Sequence, residues 1–259
     1  MVQLGPAHFD EWVAPTTLPS IEIISDLHLA AQTPATLEAW EHYLDETRAG
    51  AVIILGDLFE TWIGDDSRFC EFEAHCADVL LRASSRARLL FMVGNRDFLV
   101  GAEMLAASNM QGLRDPTVLV AFGQRYLLTH GDALCLADVE YQHFRTVVRN
   151  PQWQAQLLAR PLEERRKLAR ELRAGSMERQ VGRSADGWVD IDKTMALGWL
   201  EIADSKTLIH GHTHRPSTDV LAPGCIRHVL SDWSLDDEHP RRAEVMRLDS
   251  TGLQRYSLA

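Results

Sequence analysis

Hydrophobic positions in this chain cluster in short continuous runs, with no single long periodic stretch. Ile21-Glu22-Ile23-Ile24, Ala51-Val-Ile-Ile-Leu55 and Leu89-Leu-Phe-Met-Val93 are apolar runs of strand length, the first two rich in β-branched residues. Runs of this kind are typical of parallel strands buried on both faces. Between the first two, Leu37, Trp40 and Leu44 recur at helical spacing and predict a helix over 36–49. Further helices are expected over 69–83 and 101–108. Val118–Phe122 and Arg125–Thr129 flank Gly123-Gln124 and predict a hairpin-like pair. Thr207–His210 reads as another strand, and runs at 226–230, 244–248 and 253–258 predict further antiparallel strands. The alternation of strands and helices predicts an α/β fold. No internal repeat or low-complexity segment interrupts it.

The polar residues that end these runs carry the chemistry. The first strand runs into Asp26-Leu-His28, the second into Gly56-Asp57, the third into Gly94-Asn95, the hairpin into His130-Gly-Asp132, and Thr207–His210 into Gly211-His212-Thr-His214. A lone Gly-Asp or Gly-Asn is ordinary turn chemistry. Five such ends in one chain are a different matter, because sheets of this kind build their sites in the crevice beyond the carboxyl ends of the strands. Asp26 and His28, two residues apart, are expected to share one face of the extended chain and so converge. The donor set is Asp26, His28, Asp57, Asn95, His130, His212 and His214. Seven ligands are too many for one tetrahedral zinc and suit two ions sharing a carboxylate. A set of carboxylate, amide and imidazole without thiolate suits Mn²⁺, Fe or Zn²⁺ more than Cu. Two such ions activate water and stabilise a leaving oxygen, so the expected reaction is hydrolysis of a phosphate ester or anhydride.

Composition narrows the partners. The chain has 259 residues, enough for one sizeable core or one core with an insertion. Its net charge of −11 argues against general nucleic-acid binding. Charge is unevenly spread, however. Tyr141–Ala185 holds ten Arg and Lys against four Glu, about +6. A solvated helix face accounts for part of that bias, and an anionic ligand or membrane surface accounts for it better. Residues 1–20, with three prolines, Asp10 and Glu11, read as a loose extension, neither a signal peptide nor an anchor. Cys70, Cys76, Cys135 and Cys225 lack the spacing of a zinc site or disulfide framework and read as reduced cytosolic thiols.

In order and type, D-x-H, G-D, G-N, H-G-D and G-H-x-H resemble the calcineurin-like metallophosphoesterase superfamily. The resemblance implies an αββα sandwich, with the core in residues 21–134 and 201–259 and a helical insertion, or lid, at 135–200. It implies that Asp57 bridges two metals. Asp26, His28 and His214 would complete one site, and Asn95, His130 and His212 the other. Where most members carry a His after Gly-Asn, this chain has Arg96. Gly94-Asn-Arg-Asp-Phe-Leu99, with Gly56-Asp-Leu-Phe-Glu-x-Trp-Ile-Gly-Asp-Asp66 and Gly211-His-Thr-His-Arg-Pro216, is similar to one subfamily. That subfamily is the UDP-2,3-diacylglucosamine pyrophosphohydrolases of bacterial lipid A synthesis.

The subfamily resemblance implies two Mn²⁺ ions and water attack on the α-phosphorus, giving UMP and 2,3-diacylglucosamine 1-phosphate. Catalytic roles would fall to Asp57, Asn95, Arg96 and His130. Substrate contacts would come from Asn95, Arg96, Asp138, Tyr141, Ser176, Gln180, Arg183 and His212. Gln180 stands where an Asn is usual and Arg183 where a Lys is usual. Arg96 makes physical sense as a planar, permanently charged fork for a pyrophosphate oxygen. Asp65 and Asp66 are expected to serve the surrounding loop and not to bind metal. The lid would house the acyl chains in an apolar chamber and present basic residues to an anionic membrane. A structural helical hairpin is the other reading of the same segment. The expected partners are the lipid-linked nucleotide sugar and the cytoplasmic face of the inner membrane, with no nucleic acid and with the chain as a monomer. Two further readings stay open: another dinuclear phosphodiesterase or nucleotide hydrolase, and a non-catalytic scaffold of the same fold.

Overall fold

A computed structural model describes residues 9–181, 189–236 and 241–259, with the backbone alone for 174–181. Strand β1 (Asp10–Val13) precedes β2 (Ile21–Ile24), α1 (Pro34–Glu46), β3 (Ala51–Leu55), a 3₁₀ turn (Asp65–Phe69), α2 (Glu71–Ser84) and β4 (Arg88–Met92). Next come α3 (Ala102–Ala107), β5 (Met110–Leu113), β6 (Thr117–Ala121), β7 (Gln124–Thr129) and a second 3₁₀ turn (Asp132–Leu134). Helices α4 (Val139–Val148), α5 (Pro151–Leu158), α6 (Leu162–Val181) and α7 (Lys193–Ile202) follow. Strands β8 (Thr207–His210), β9 (Ser217–Ala222), β10 (Cys225–Val229), β11 (Glu244–Asp249) and β12 (Gly252–Ser257) close the chain.

The strands form two six-stranded sheets, ordered β12-β11-β2-β3-β4-β5 and β1-β6-β7-β8-β10-β9. Alternation along each strand divides its residues between two layers. Ile21, Ile23, Ala51, Ile53, Leu55, Leu90 and Met92 point between the sheets, where they meet Leu119, Leu128 and Ile209 of the second sheet. Ile24, Val52, Ile54 and Phe91 point the other way, against Trp40 and Leu44 of α1 and Leu80 of α2. The second sheet's outer face, with Val118, Leu127 and Leu208, is covered by Ala196, Trp199 and Leu200 of α7. The result is an αββα sandwich. Each fully buried Ile or Leu contributes about 1.5–3 kcal/mol of transfer free energy to it.

Four expectations need correction. Residues 10–13, read as loose extension, form β1 and pair in parallel with β6, because Trp12 inserts into the inter-sheet layer. Helix α7, expected within the insertion, belongs to the core sandwich through its apolar face. Strand β10 is antiparallel only to β9. It runs parallel to β8, which places its carboxyl end beside the others. Strands β5 and β9 carried no clear hydrophobic run in the sequence and appear only through pairing at the sheet edges.

Candidate metal centre

All five motif-bearing strands end at one edge of the sandwich, and the chain leaves β2, β3 and β8 through ligand residues in an unusual backbone conformation. Asp26, His28, Asp57, His212 and His214 have positive φ angles of 57°, 50°, 52°, 67° and 52°. Non-glycine residues seldom adopt this region, and each such residue costs on the order of 1–3 kcal/mol unless its surroundings hold it. Asp26 and His28 therefore converge through left-handed backbone beyond the strand end and not through the pleat of β2. Backbone pairing fixes the turn: Asp26 N–H donates to Gly56 O at 3.1 Å and His28 N–H to Asp57 O at 3.0 Å. Gly94 and Gly211 make the approach possible. A Cβ on Gly94 would collide with Asp57 Oδ1, and one on Gly211 with Ser25 Oγ and Asp26 Oδ2.

The seven expected donors come together. Asn95 Oδ1 lies 2.8 Å from both His130 Nε2 and His212 Nδ1. His28 Nε2 is 3.2 Å from His214 Nε2 and 3.8 Å from Asp57 Oδ2. His130 Nε2 is 3.7 Å from Asp57 Oδ1, and His214 Nε2 is 3.5 Å from Asp26 Oδ1. Asp26, His28 and His214 form one tight group of ligand atoms, and Asp26, Asp57 and His130 a second. By these distances Asp26 joins both groups, while Asp57 reaches an imidazole in each.

The donors fit divalent ions. Asp26 and Asp57 are almost fully buried, yet among the described residues their ion pairs are to imidazoles only. Buried carboxylates without a permanent cation are costly. His28 and His214 also turn ring nitrogens toward each other, an arrangement that a shared cation satisfies. Burial drives His28 down to about 4, and burial with the nearby His130 charge takes His212 to about 4. Both stay neutral and ready to ligate. At His130 the lowering effect of burial is outweighed by Asp57, Asp26 and Asp132, and its pKa rises to about 9.

Outer partners hold the ligands. Ser25 Oγ donates to Asp26 Oδ2 in a very short bond, and His212 N–H donates to Asp26 Oδ2 at 2.9 Å. Glu60 Oε2 lies 3.1 Å from His28 Nδ1, and His130 Nδ1 faces Leu55 O at 2.8 Å. Asp97 is fully buried and accepts from Gly94 N–H at 2.7 Å and Leu58 N–H at 2.8 Å. Burial and the neighbouring Asp57 push its carboxyl up to about 6. Glu60, Asp97 and Asp132 were missed as supports from sequence. All three lie inside motifs already singled out, but the burial of Asp97 and Asp132 and the approach of Glu60 to His28 are not visible there.

Around this centre, Arg96 N–H donates to Asp57 Oδ1 at 2.8 Å. Its buried Nε has no hydrogen-bond partner among the described residues. The Tyr141 ring lies 5.8 Å from that of His212, and its hydroxyl donates to Asp132 at 2.6 Å. Asp138 caps α4, accepting from Tyr141 N–H at 3.1 Å. Ser176 and Gln180 fall on α6 where only the backbone is described, and Arg183 lies outside the described residues. Asp65 accepts from Gly101, Glu103 and Met104 N–H at the start of α3. Asp66 pairs with the buried Arg165 of α6.

A family model described as calcineurin-like phosphoesterase matches residues 20–216, most of the chain and the whole motif series. The chain belongs to the calcineurin-like phosphoesterase family. Among curated relatives, this phosphoesterase is 41% identical over 249 residues to a UDP-2,3-diacylglucosamine hydrolase of Chromobacterium violaceum, covering 92% of this chain and 99% of that protein. Proteins of the same name from Bordetella pertussis and Marinobacter nauticus are each 39% identical, covering 91% of this chain and 94% and 97% of theirs.

Proposed function

We propose that this phosphoesterase hydrolyses the pyrophosphate bond of UDP-2,3-diacylglucosamine, releasing UMP and 2,3-diacylglucosamine 1-phosphate for lipid A synthesis. The observation that carries the reading is a complete seven-residue donor set in a chain that matches UDP-2,3-diacylglucosamine hydrolases almost end to end. Water oxygen bonds to the α-phosphorus, and the bond from that phosphorus to the bridging oxygen breaks. Bound divalent ions, two Mn²⁺ in this proposal, would polarise phosphoryl oxygens and lower the pKa of the attacking water. Asp26, His28, Asp57 and His214 would hold one ion, and Asp57, Asn95, His130 and His212 would hold the other.

The remaining work belongs to this chain's own groups. Arg96, anchored through its backbone on Asp57, carries its guanidinium at the loop edge and neutralises a pyrophosphate oxygen as charge builds there. Tyr141 and Asp138, at the start of α4, contact the substrate together with His212, and Ser176, Gln180 and Arg183 complete those contacts. The acyl chains lie against the insertion. A cavity there of about 60 Å³ is lined by Trp153, Leu157 and Leu168 together with Gln156 and Arg160. The protein works as a monomer at the cytoplasmic face of the inner membrane, bound from outside the bilayer. No helix among the described residues is long and apolar enough to cross a membrane.

Hydrolysis in ¹⁸O-water tests the chemistry directly. The label is expected in UMP. Label in the sugar 1-phosphate would place attack on the other phosphorus and refute the proposed step.

A further inference from the structure

Arg149 caps the carboxyl end of α4, where the insertion turns sharply into α5. The corner is rigid, since Asn150 Oδ1 accepts from both Gln152 and Trp153 N–H and Val148 is buried. From it the Arg149 guanidinium reaches the core. One Nη donates to Gly94 O at 2.8 Å and lies 3.8 Å from Asp132 Oδ2. The group also sits over the Phe98 ring, 5.8 Å from its centroid, and Phe98 in turn meets Trp153 of α5.

Gly94 is the residue immediately before Asn95. Its N–H is held by Asp97 at 2.7 Å, its α-carbon is pressed against Asp57, and its carbonyl is held by Arg149. With both polar groups of Gly94 engaged, the next residue has little freedom. Asn95 Oδ1 is thereby placed 2.8 Å from both His130 and His212. The same guanidinium stands beside Asp132, two residues after His130, whose Oδ2 also accepts from Arg145 Nε at 2.8 Å.

We propose that Arg149 is a positioning residue for the metal centre, orienting the Asn95 and His130 loops from the insertion through Gly94 O and Asp132. The inference rests on Asn95 and His130 being metal ligands. It makes the insertion part of the metal site's support as well as a substrate cover. A planar fork suits the task, since one cation must serve a carbonyl and a carboxylate on different loops.

The test compares wild type, Arg149→Ala and Arg149→Lys by calorimetric Mn²⁺ titration of the metal-stripped protein, alongside kcat and KM. Circular dichroism melts check folding. Arg149→Ala is expected to weaken Mn²⁺ binding and lower kcat by about 10- to 100-fold, the usual cost of losing an outer partner of a ligand, with KM within about threefold. Arg149→Lys should recover part of both, because it restores the charge but not the fork. If Arg149→Ala misfolds, the Lys variant decides alone. A wild-type Mn²⁺ isotherm in a folded variant would overturn the inference, as would a change confined to KM. Failure of the wild-type protein to bind Mn²⁺ would refute the ligand assignment itself and is read separately.

Discussion

Around the metal centre, carboxylates and imidazoles are buried on loops whose backbone is forced into left-handed conformations. In the insertion, several of the groups that meet the core are arginines carried by ordinary helices. Arg145 and Arg149 of α4 reach Asp132 and Gly94, while Arg165 of α6 reaches Asp66 and Ile63 O. The centre's five positive-φ residues persist only because the packed loops around them hold the backbone in place. The insertion is fastened by charge-assisted bonds to groups of the core, with a modest apolar contact around Trp153, Leu157 and Leu168. Geometry that must be exact for chemistry sits on the strained, closely packed loops, and arginines of the insertion reach those loops from outside.

The largest expected effect comes from the centre. Asp57→Ala removes the carboxylate that faces His28 and His130 from between them. Mn²⁺ stoichiometry should fall, and activity should drop by more than the roughly 100-fold that marks loss of an outer partner. Near-normal metal content measured by mass spectrometry would break the contrast at its strong end. Arg96→Ala should spare the metals and cost turnover on the order of 10²-fold, in the range for losing one group that stabilises developing charge. Wild-type kcat in that variant would remove Arg96 from the chemistry.

Stability of the metal-stripped protein against pH probes the same burial. His28 and His212 are held down to about 4 and His210 to about 3, in each case first by burial. Unfolded histidines titrate near pH 6.5, roughly. Between those values the unfolded chain binds protons that the folded chain refuses, so stability falls as pH falls below the unfolded value. His130 acts on the other side. Raised to about 9, its contribution is complete below the unfolded value and is lost as pH climbs through about 9. Melting temperature is therefore expected to peak near neutrality. A flat profile across this range would mean these imidazoles are not buried as described. The smallest effect on the centre is expected at Arg165→Ala. Asp66 is half exposed, but Arg165 is buried and also donates to Ile63 O and Arg160 O, so its loss costs fold stability, about 1–3 kcal/mol, and not metal binding. Proteolysis within the insertion should speed up while Mn²⁺ binding holds. An equal loss of metal would show that α6, like α4, supports the centre.

Much of this was legible in the sequence because strand-end motifs are local. A run of apolar residues followed by Gly-Asp or His-Gly-Asp announces both the strand and the donor. The seven candidate donors come together at one sheet edge, and most elements fell where the pattern put them. What escaped depends on partners distant in sequence. Strand β1 exists because β6 offers an edge to it, and α7 joins the core because Trp199 and Leu200 find the outer face of the second sheet. Strand β5, Met110-Gln-Gly-Leu113, has too little apolar character to announce itself. Asp97 and Glu60 look like ordinary loop acids until burial and hydrogen bonds mark them. The convergence of Asp26 and His28 was foreseen, but its cause was not. Positive φ angles, not pleating, bring the pair together.

The most direct test is release of UMP from UDP-2,3-diacylglucosamine by the purified protein, with Mn²⁺ supplied and with metals chelated. UMP release that needs Mn²⁺, and that far exceeds turnover of soluble nucleotide diphosphates, is the predicted result. No release by folded, Mn²⁺-loaded protein, or equal release after chelation, would contradict it.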